Sequence, residues 1–188
     1  MGADRILVTG ATGFLGRAVS DHLVAGGRTV RAAIRRPSAD GLPGIESVAV
    51  GDISADTDWS AALKGIDAVV HCAARAHVLK ETAADPLAQF RAVNTAATLA
   101  LARQAAAAGV RRLVFISSIG VNGAETRGRP FRHDDVPHPH SPYALSKYEA
   151  EQGLAAIAGE TGLEVVVIRP PLILGPDPKG NLATLNRI

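Results

Sequence analysis

Short aliphatic runs with little polar alternation recur along the chain at Arg5–Thr9, Thr29–Ile34, 47–50, Ala68–His71, 112–117 and Glu164–Ile168. A strand covered on both faces reads this way, as a parallel sheet layered between helices requires. Between these runs the spacing changes to the helical period. Leu15, Val19 and Leu23 fall at i, i+4 steps, a shorter apolar segment covers 59–64, and an alanine-rich stretch extends over 86–108. The punctuation agrees: Asp85-Pro86 supplies an N-cap followed by proline in the first turn, Gly109 stands at the far end, and Ser141-Pro142 opens another helix over 142–158. Strands alternating with helices predict an α/β fold, a doubly wound parallel sheet of about six strands with helices on both faces. The stretch 120–140, rich in Gly, Pro and charged residues, has no period and reads as a loop at the strand ends.

Composition narrows the classes of partner. The 188 residues, 47% of them hydrophobic, are enough to bury one core, and a single domain over 1–188 is expected. The formal charge of +2 is dispersed, and Arg35-Arg36 and Arg111-Arg112 are isolated pairs rather than a stripe, which argues against nucleic acid as a partner. No apolar run approaches the roughly 18 residues of a membrane span. Met1-Gly2 lacks the Ser or Thr at position 6 of a myristoylation signal, so no membrane association is expected. With a single cysteine, Cys72, no internal disulfide forms; together with a start that runs directly into an aliphatic strand, this makes the expected location cytoplasmic.

The first chemical motif follows the first strand. Gly-Ala-Thr-Gly-Phe-Leu-Gly occupies 10–16, between Ile6-Leu7-Val8-Thr9 and an amphipathic helix. A glycine at the strand end permits a tight turn, a second lets backbone N–H groups approach a pyrophosphate, and a third lets the helix pack against the sheet. The helix N-terminus then offers unpaired N–H groups and a positive dipole end to phosphate. Strand, glycine turn and helix in this order predict a Rossmann-type dinucleotide site, although the spacing is GxxGxxG rather than GxGxxG. Gly10, Thr12, Gly13, Phe14, Leu15 and Gly16 are its expected binding residues.

A second motif is Tyr143-Ala-Leu-Ser-Lys147 at the start of a predicted helix, where the i, i+4 step puts phenol and ammonium on one face. On its own this spacing fits a solvated pair. Beside a dinucleotide the pair has a chemical purpose, because a lysine and an oxidised nicotinamide together favour the phenolate and make Tyr143 usable as acid or base.

Taken together, GxxGxxG, Ser117-Ser118 after the fifth strand and YxxxK resemble the short-chain dehydrogenase/reductase superfamily, in its extended branch of NAD(P)-dependent epimerases and dehydratases. The resemblance extends to His-Cys-Ala-Ala at 71–74, Val93-Asn94, and Arg-Pro-Pro-Leu-Ile-Leu-Gly-Pro at 169–176. It implies that Tyr143 is the catalytic acid/base, that Lys147 holds the nicotinamide ribose and tunes Tyr143, and that Ser118 bonds the reacting sugar oxygen, with Ser117 structural. It further implies cofactor contacts at Asp52, Ile53, Ala73, Ala74, Asn94 and Pro170. Related 4,6-dehydratases carry Thr, Asp and Glu where this chain has Ser118, Ile119 and Gly120, so elimination of water lacks its proton carriers here. What the resemblance leaves is hydride transfer at a sugar carbon: a 4-epimerase or 4-ketoreductase acting on a nucleotide sugar, most simply UDP-linked. It also implies a homodimer through the helices at 86–108 and 142–158, and a smaller C-terminal substrate domain, absent or only begun after about residue 170. A dinucleotide-binding or sensing module without turnover, or a scaffold with vestigial glycines, is the alternative.

The end of the second strand bears on NAD against NADP. An acidic residue there bonds the adenosine ribose in NAD sites, whereas this chain reads Ala33-Ile34-Arg35-Arg36. Two guanidiniums and no carboxylate favour NADP(H), with Arg35 and Arg36 facing the 2′-phosphate. His133, His138, His140 and Asp134-Asp135 lack the spacing of a zinc motif, so no metal is expected. His71, His77, Cys72 and Trp59 read as packing or lining residues.

Overall fold

A computed structural model describes residues 4–37, 42–76, 84–126 and 128–175. Six parallel strands form one sheet: β1 (Arg5–Thr9), β2 (Thr29–Ile34), β3 (Glu46–Ala49), β4 (Ala68–His71), β5 (Arg112–Ile116) and β6 (Glu164–Ile168). Their order is β3-β2-β1-β4-β5-β6. The order reverses direction between β1 and β4, and the crevice at the carboxyl ends of those two strands is where an open sheet of this kind receives a ligand.

Alternation along the strands feeds two layers. Leu7, Val69, Leu113 and Phe115 face one side and pack with Trp59, Leu63, Leu101, Ala105, Ala150, Leu154 and Ile157. That side is covered by helices α2 (Ser60–Leu63), α4 (Ala97–Ala107) and α5 (Pro142–Thr161). Ile6, Val8, Val30, Ala32 and Ile34 face the other side, against α1 (Phe14–Ala25). Arg31 is the charged exception in a buried strand. Its guanidinium donates to the carbonyls of Ala62 and Lys64 at the end of α2 (3.0 and 2.8 Å) and pairs with Glu46 at 3.0 Å.

Three features differ from the sequence pattern. The outer strands are not buried: β3 is largely exposed, and on β6 Val166, Val167 and Ile168 are 38–44% exposed. The helix expected at 86–108 runs unbroken over 86–107 but is not uniformly α-helical, because α3 (Pro86–Phe90) and α4 are joined by a π-helical turn at Arg91–Ala96. That extra residue per turn rotates Asn94 into full burial, where its amide accepts from the Arg75 N–H (2.8 Å) and donates to the Arg75 carbonyl and Ser146 Oγ (3.1 Å each). Finally, α5 runs three residues beyond 158, to Thr161, where Gly162 at φ +76° closes it in the left-handed conformation.

Candidate active site

The glycine turn explains its own composition. Gly10 lies at φ +66°, and a Cβ there would stand 2.8 Å from the Ala73 nitrogen. A Cβ on Gly16 would meet the Gly10 carbonyl oxygen at 2.1 Å and its carbon at 2.6 Å. The backbone is thus folded tightly enough that α1 starts directly over the end of β1. The N-cap of α1 is Gly13, which has no side chain to occupy the first N–H groups of the helix, so these groups are left for an anion. Gly16→Ala is expected to destabilise the chain by about 3 kcal/mol or more, because backbone rather than a flexible side chain must yield. Urea unfolding, with dinucleotide titration of any folded fraction, checks this; wild-type stability and affinity in the variant would contradict it.

Two clefts meet at this turn, sharing Gly10, Gly13, Cys72, Ala74 and Ala76. The larger, about 810 Å³, runs along the ends of β1, β2 and β3, and Thr12, Arg35, Asp52, Ile53, Ala73 and the fully buried Trp59 are among its lining residues. The other, about 470 Å³, lies over β4 and β5 and is lined by Phe14, Leu15, Gly16, Ser118, Tyr143, Lys147 and Pro170. Two compartments joined over an uncapped glycine turn fit a dinucleotide, one half on each side of its pyrophosphate. Arg36 is exposed and lines neither cleft, and Asn94 lies behind the wall, holding Arg75. Arg35 is paired with Asp52 at 2.8 Å. The carboxylate missing from the end of β2 is therefore supplied by the end of β3.

Local structure places the reactive side chains. Ser118 follows β5 and caps a short 3₁₀ turn (Ile119–Val121), its Oγ accepting from the Gly120 N–H at 3.1 Å. One lone pair is thereby used and the hydroxyl proton is available to a substrate oxygen. Ser141 caps α5 through the Ala144 N–H (3.1 Å), and Pro142 takes the first turn. This fixes Tyr143 and Lys147 in the opening turns of α5. The Tyr143 ring meets Phe90 edge-on at 5.9 Å, and the Arg75 guanidinium lies 5.5 Å from the other ring's centre. Lys147 is 1% exposed, with Nζ 4.1 Å from the Phe115 ring centre.

Burial governs the electrostatics. It lowers Lys147 to about 7, against smaller upward effects of Cys72 and Glu151. It raises Cys72 to about 11, which leaves a thiol rather than a thiolate, and lowers His71 to about 3 with a further contribution from Lys147. Burial also raises the Tyr143 phenol above its ordinary range. The phenolate expected from the Tyr-Lys spacing is thus not favoured by the protein alone, since a lysine near 7 is only half charged at neutral pH.

His71 is a structural relay rather than a reactive base. Thr98 Oγ1 donates to the Asn94 carbonyl (2.8 Å), so it accepts from His71 Nε2–H (3.0 Å). Nδ1 accepts in turn from Thr9 Oγ1 (2.7 Å), which accepts from the Ala73 N–H (3.1 Å). His77 and Pro176 lie outside the described residues. Among the described residues no group of three or more His, Cys, Asp or Glu is placed to hold a metal, and no helix is long and apolar enough to cross a membrane.

The sequence pattern overlooked Glu151. It stands one turn beyond Lys147, is 8% exposed, accepts from Ser117 Oγ, and forms a two-pronged ion pair with Arg169 (2.6 and 3.0 Å). Arg169 also donates to Asn122 Oδ1 at 3.1 Å. The signal was present: Tyr143, Lys147 and Glu151 recur at i, i+4, i+8, so one helix face carries all three.

Comparison with known proteins agrees with this architecture. Residues 6–187 match the NAD dependent epimerase/dehydratase family. A UDP-glucose 4-epimerase of Vibrio cholerae is 47% identical over 191 residues, covering 97% of this chain and 56% of that protein. A short-chain dehydrogenase/reductase superfamily protein of Agrobacterium tumefaciens, solved with bound NAD, is 38% identical with a TM-score of 0.71, covering 88% of this chain and 48% of that one. A UDP-N-acetylglucosamine 4-epimerase from Methanobrevibacter ruminantium, solved with UDP-N-acetylmuramic acid, is 28% identical with a TM-score of 0.81, covering 96% of this chain and 59% of that one. The chain spans about half the length of the curated relatives it matches. With the 3-2-1-4-5-6 sheet, the glycine turn and the YxxxK helix in place, the chain belongs to the NAD-dependent epimerase/dehydratase family of extended short-chain dehydrogenase/reductases.

Proposed function

We propose that this chain carries the cofactor site and proton-transfer residues of an NAD(P)-dependent nucleotide-sugar 4-epimerase or 4-ketoreductase. The observation that supports this most directly is that Ser118, Tyr143 and Lys147 line the same cleft as the glycine turn, a convergence that a binding module without turnover does not need. The 4-epimerase relatives, and the UDP-sugar held by one of them, favour a UDP-linked hexose as substrate.

The nicotinamide, when bound, supplies or accepts a hydride at the sugar C4. Tyr143 gives its phenolic proton to the C4 oxygen as a ketone is reduced, or as phenolate takes the hydroxyl proton when the alcohol is oxidised. Ser118 donates a hydrogen bond from its hydroxyl to the same oxygen and keeps its proton. Lys147 bonds the ribose and, while charged, lowers the cost of the phenolate. Phe14, Leu15 and Pro170 line the cleft with apolar surface that excludes water.

The reading is tested by supplying UDP-glucose or UDP-N-acetylglucosamine with NAD⁺, and a UDP-4-keto sugar with NADPH. The 4-epimer is sought by NMR and nicotinamide oxidation by absorbance. Absence of both reactions, in the chain and in a longer protein containing it, would refute the proposal.

We further propose that the site prefers NADP(H), through Arg35. The Arg35–Asp52 pair is exposed on both sides and contributes at most about 1 kcal/mol, so a 2′-phosphate can displace it. Trp59, the chain's single tryptophan, lines the larger cleft, and energy transfer from it to a reduced nicotinamide reports binding. NADPH is expected to bind several-fold more tightly than NADH, and Arg35→Ala to abolish the difference; equal affinities in the wild type would end this reading.

A further inference from the structure

Glu151 is a buried carboxylate, paired with Arg169, that the proton-transfer scheme above does not use. Its carboxylate holds together the segments on which that scheme depends. Ser117, which donates to it, immediately precedes Ser118. Arg169, which clamps it, immediately precedes Pro170 and reaches Asn122 at the end of the 3₁₀ turn; Asn122 in turn donates to the Arg132 carbonyl at 3.0 Å. The strands β5 and β6 and the 3₁₀ turn are therefore tied to a single point on α5, one turn from Lys147.

Resting on the hydride-transfer reading, we propose that Glu151 is a positioning residue: its anchored carboxylate stands one helical turn from Lys147 as a counter-charge and fixes the Ser118 and Pro170 segments against the face of α5 that carries Tyr143. Two geometric facts give such a counter-charge a role. Lys147 is enclosed, with an aromatic ring beneath its ammonium, and an enclosed ammonium loses its proton unless a nearby carboxylate opposes the loss of hydration. The groups facing it are Tyr143 and Glu151 from α5, His71 on β4, Cys72 just beyond β4, and the Phe115 ring from β5. His71 is held neutral and Cys72 is held as the thiol, so neither offers a full negative charge. Glu151, ion-paired with Arg169, is the carboxylate among them, and both Cys72 and Glu151 raise Lys147 against the larger effect of burial. The Arg169 clamp fixes the carboxylate's position and partly offsets its charge.

The Lys147 side chain is titrated by NMR in the 188-residue chain, without substrate, from its Cε and Nζ signals. In Glu151→Gln the midpoint falls, by an amount on the order of one pH unit for a counter-charge one helical turn away. In Glu151→Asp, which keeps the charge, it returns close to the wild-type value. Arg169→Gln acts in the opposite direction: it removes the compensating cation and raises the midpoint, which keeps the proposal testable even where Glu151→Gln does not fold. A purely structural Glu151 would make the Asp and Gln variants alike and leave opposite shifts unexplained. An unmoved midpoint in both Glu151→Gln and Arg169→Gln overturns the proposal. The hydride-transfer reading fails separately, through retained turnover in Tyr143→Phe, which this titration does not probe.

Discussion

Replacing Tyr143 with phenylalanine is expected to reduce turnover by on the order of 10³-fold while leaving the fold intact. The fold survives because the ring remains: phenylalanine keeps the edge contact with Phe90, and the helix start depends on Ser141 and Pro142 rather than on the phenol. On the proposed mechanism turnover falls because the lost hydroxyl is the group that exchanges a proton with the C4 oxygen, and Ser118, with an ordinary alcohol, does not replace it near neutral pH. Dinucleotide affinity should change by less than about tenfold, the range of one neutral hydrogen bond. A pH profile separates the two members of the pair. Burial holds the phenol above its usual range and brings Lys147 down to about 7, so the first loss of function on raising pH belongs to Lys147. Circular dichroism, a dinucleotide titration and steady-state kinetics provide the measurements. Full turnover in the variant would remove Tyr143 from the mechanism.

The local signals in the sequence carried most of the fold, and contacts between distant residues carried what it missed. Aliphatic runs located all six strands, and for β1, β2, β4 and β5 the reason is that a central parallel strand is covered on both faces, a property of the run itself. The exposure of β3 and β6 depends on their place at the sheet edges, which no run of four or five residues records. The π-helical turn was invisible for the same reason. An alanine-rich stretch is a good uniform helix by propensity, and the partners that Asn94 finds within the altered winding, Arg75 and Ser146, lie 19 and 52 residues away.

The site divides along the same line. Gly10 and Gly16 were legible because close backbone approach excludes every other residue, and Tyr143-Lys147 because one helix brings both to a shared face. The Arg35–Asp52 pair joins the ends of two different strands, so the motif-based view that no carboxylate meets Arg35 was incomplete. The direction of the Tyr143 shift was also beyond the spacing: i, i+4 places a lysine nearby, but only enclosure decides how much of its charge survives. Glu151 had a local signal, at the third step of the same helix face. Its partners, Ser117 and Arg169, lie 34 and 18 residues away.

Lys147→Met should therefore make the chain more stable and less able to bind its cofactor. Burial lowers Lys147 from 10.5 to about 7, which means that the folded state holds its proton less tightly than the unfolded state does. The unfolded chain binds more protons throughout the window from about 7 to 10.5, so wild-type stability rises with pH across that window and is lowest below it. At pH 7 the penalty is about 4 kcal/mol, from which the lost ammonium–Phe115 contact subtracts about 1 kcal/mol. The methionine variant is accordingly expected to be about 3 kcal/mol more stable at pH 7, with the gain vanishing towards pH 10.5. Methionine is the suitable replacement because it fills the enclosed volume without a charge. The functional loss has the opposite sign. If Lys147 bonds the ribose as proposed, its removal should weaken dinucleotide binding roughly 10- to 100-fold, and without the cation the phenolate form of Tyr143 loses its support. Urea unfolding of both proteins at pH 7 and pH 10, paired with NADPH titration, measures the exchange. Equal stability at the two pH values in the wild type would show that Lys147 is not depressed, and unaltered affinity in the variant would show that the cleft does not use it. A lysine kept at this position against folding stability is the pattern of a group retained for chemistry rather than for structure.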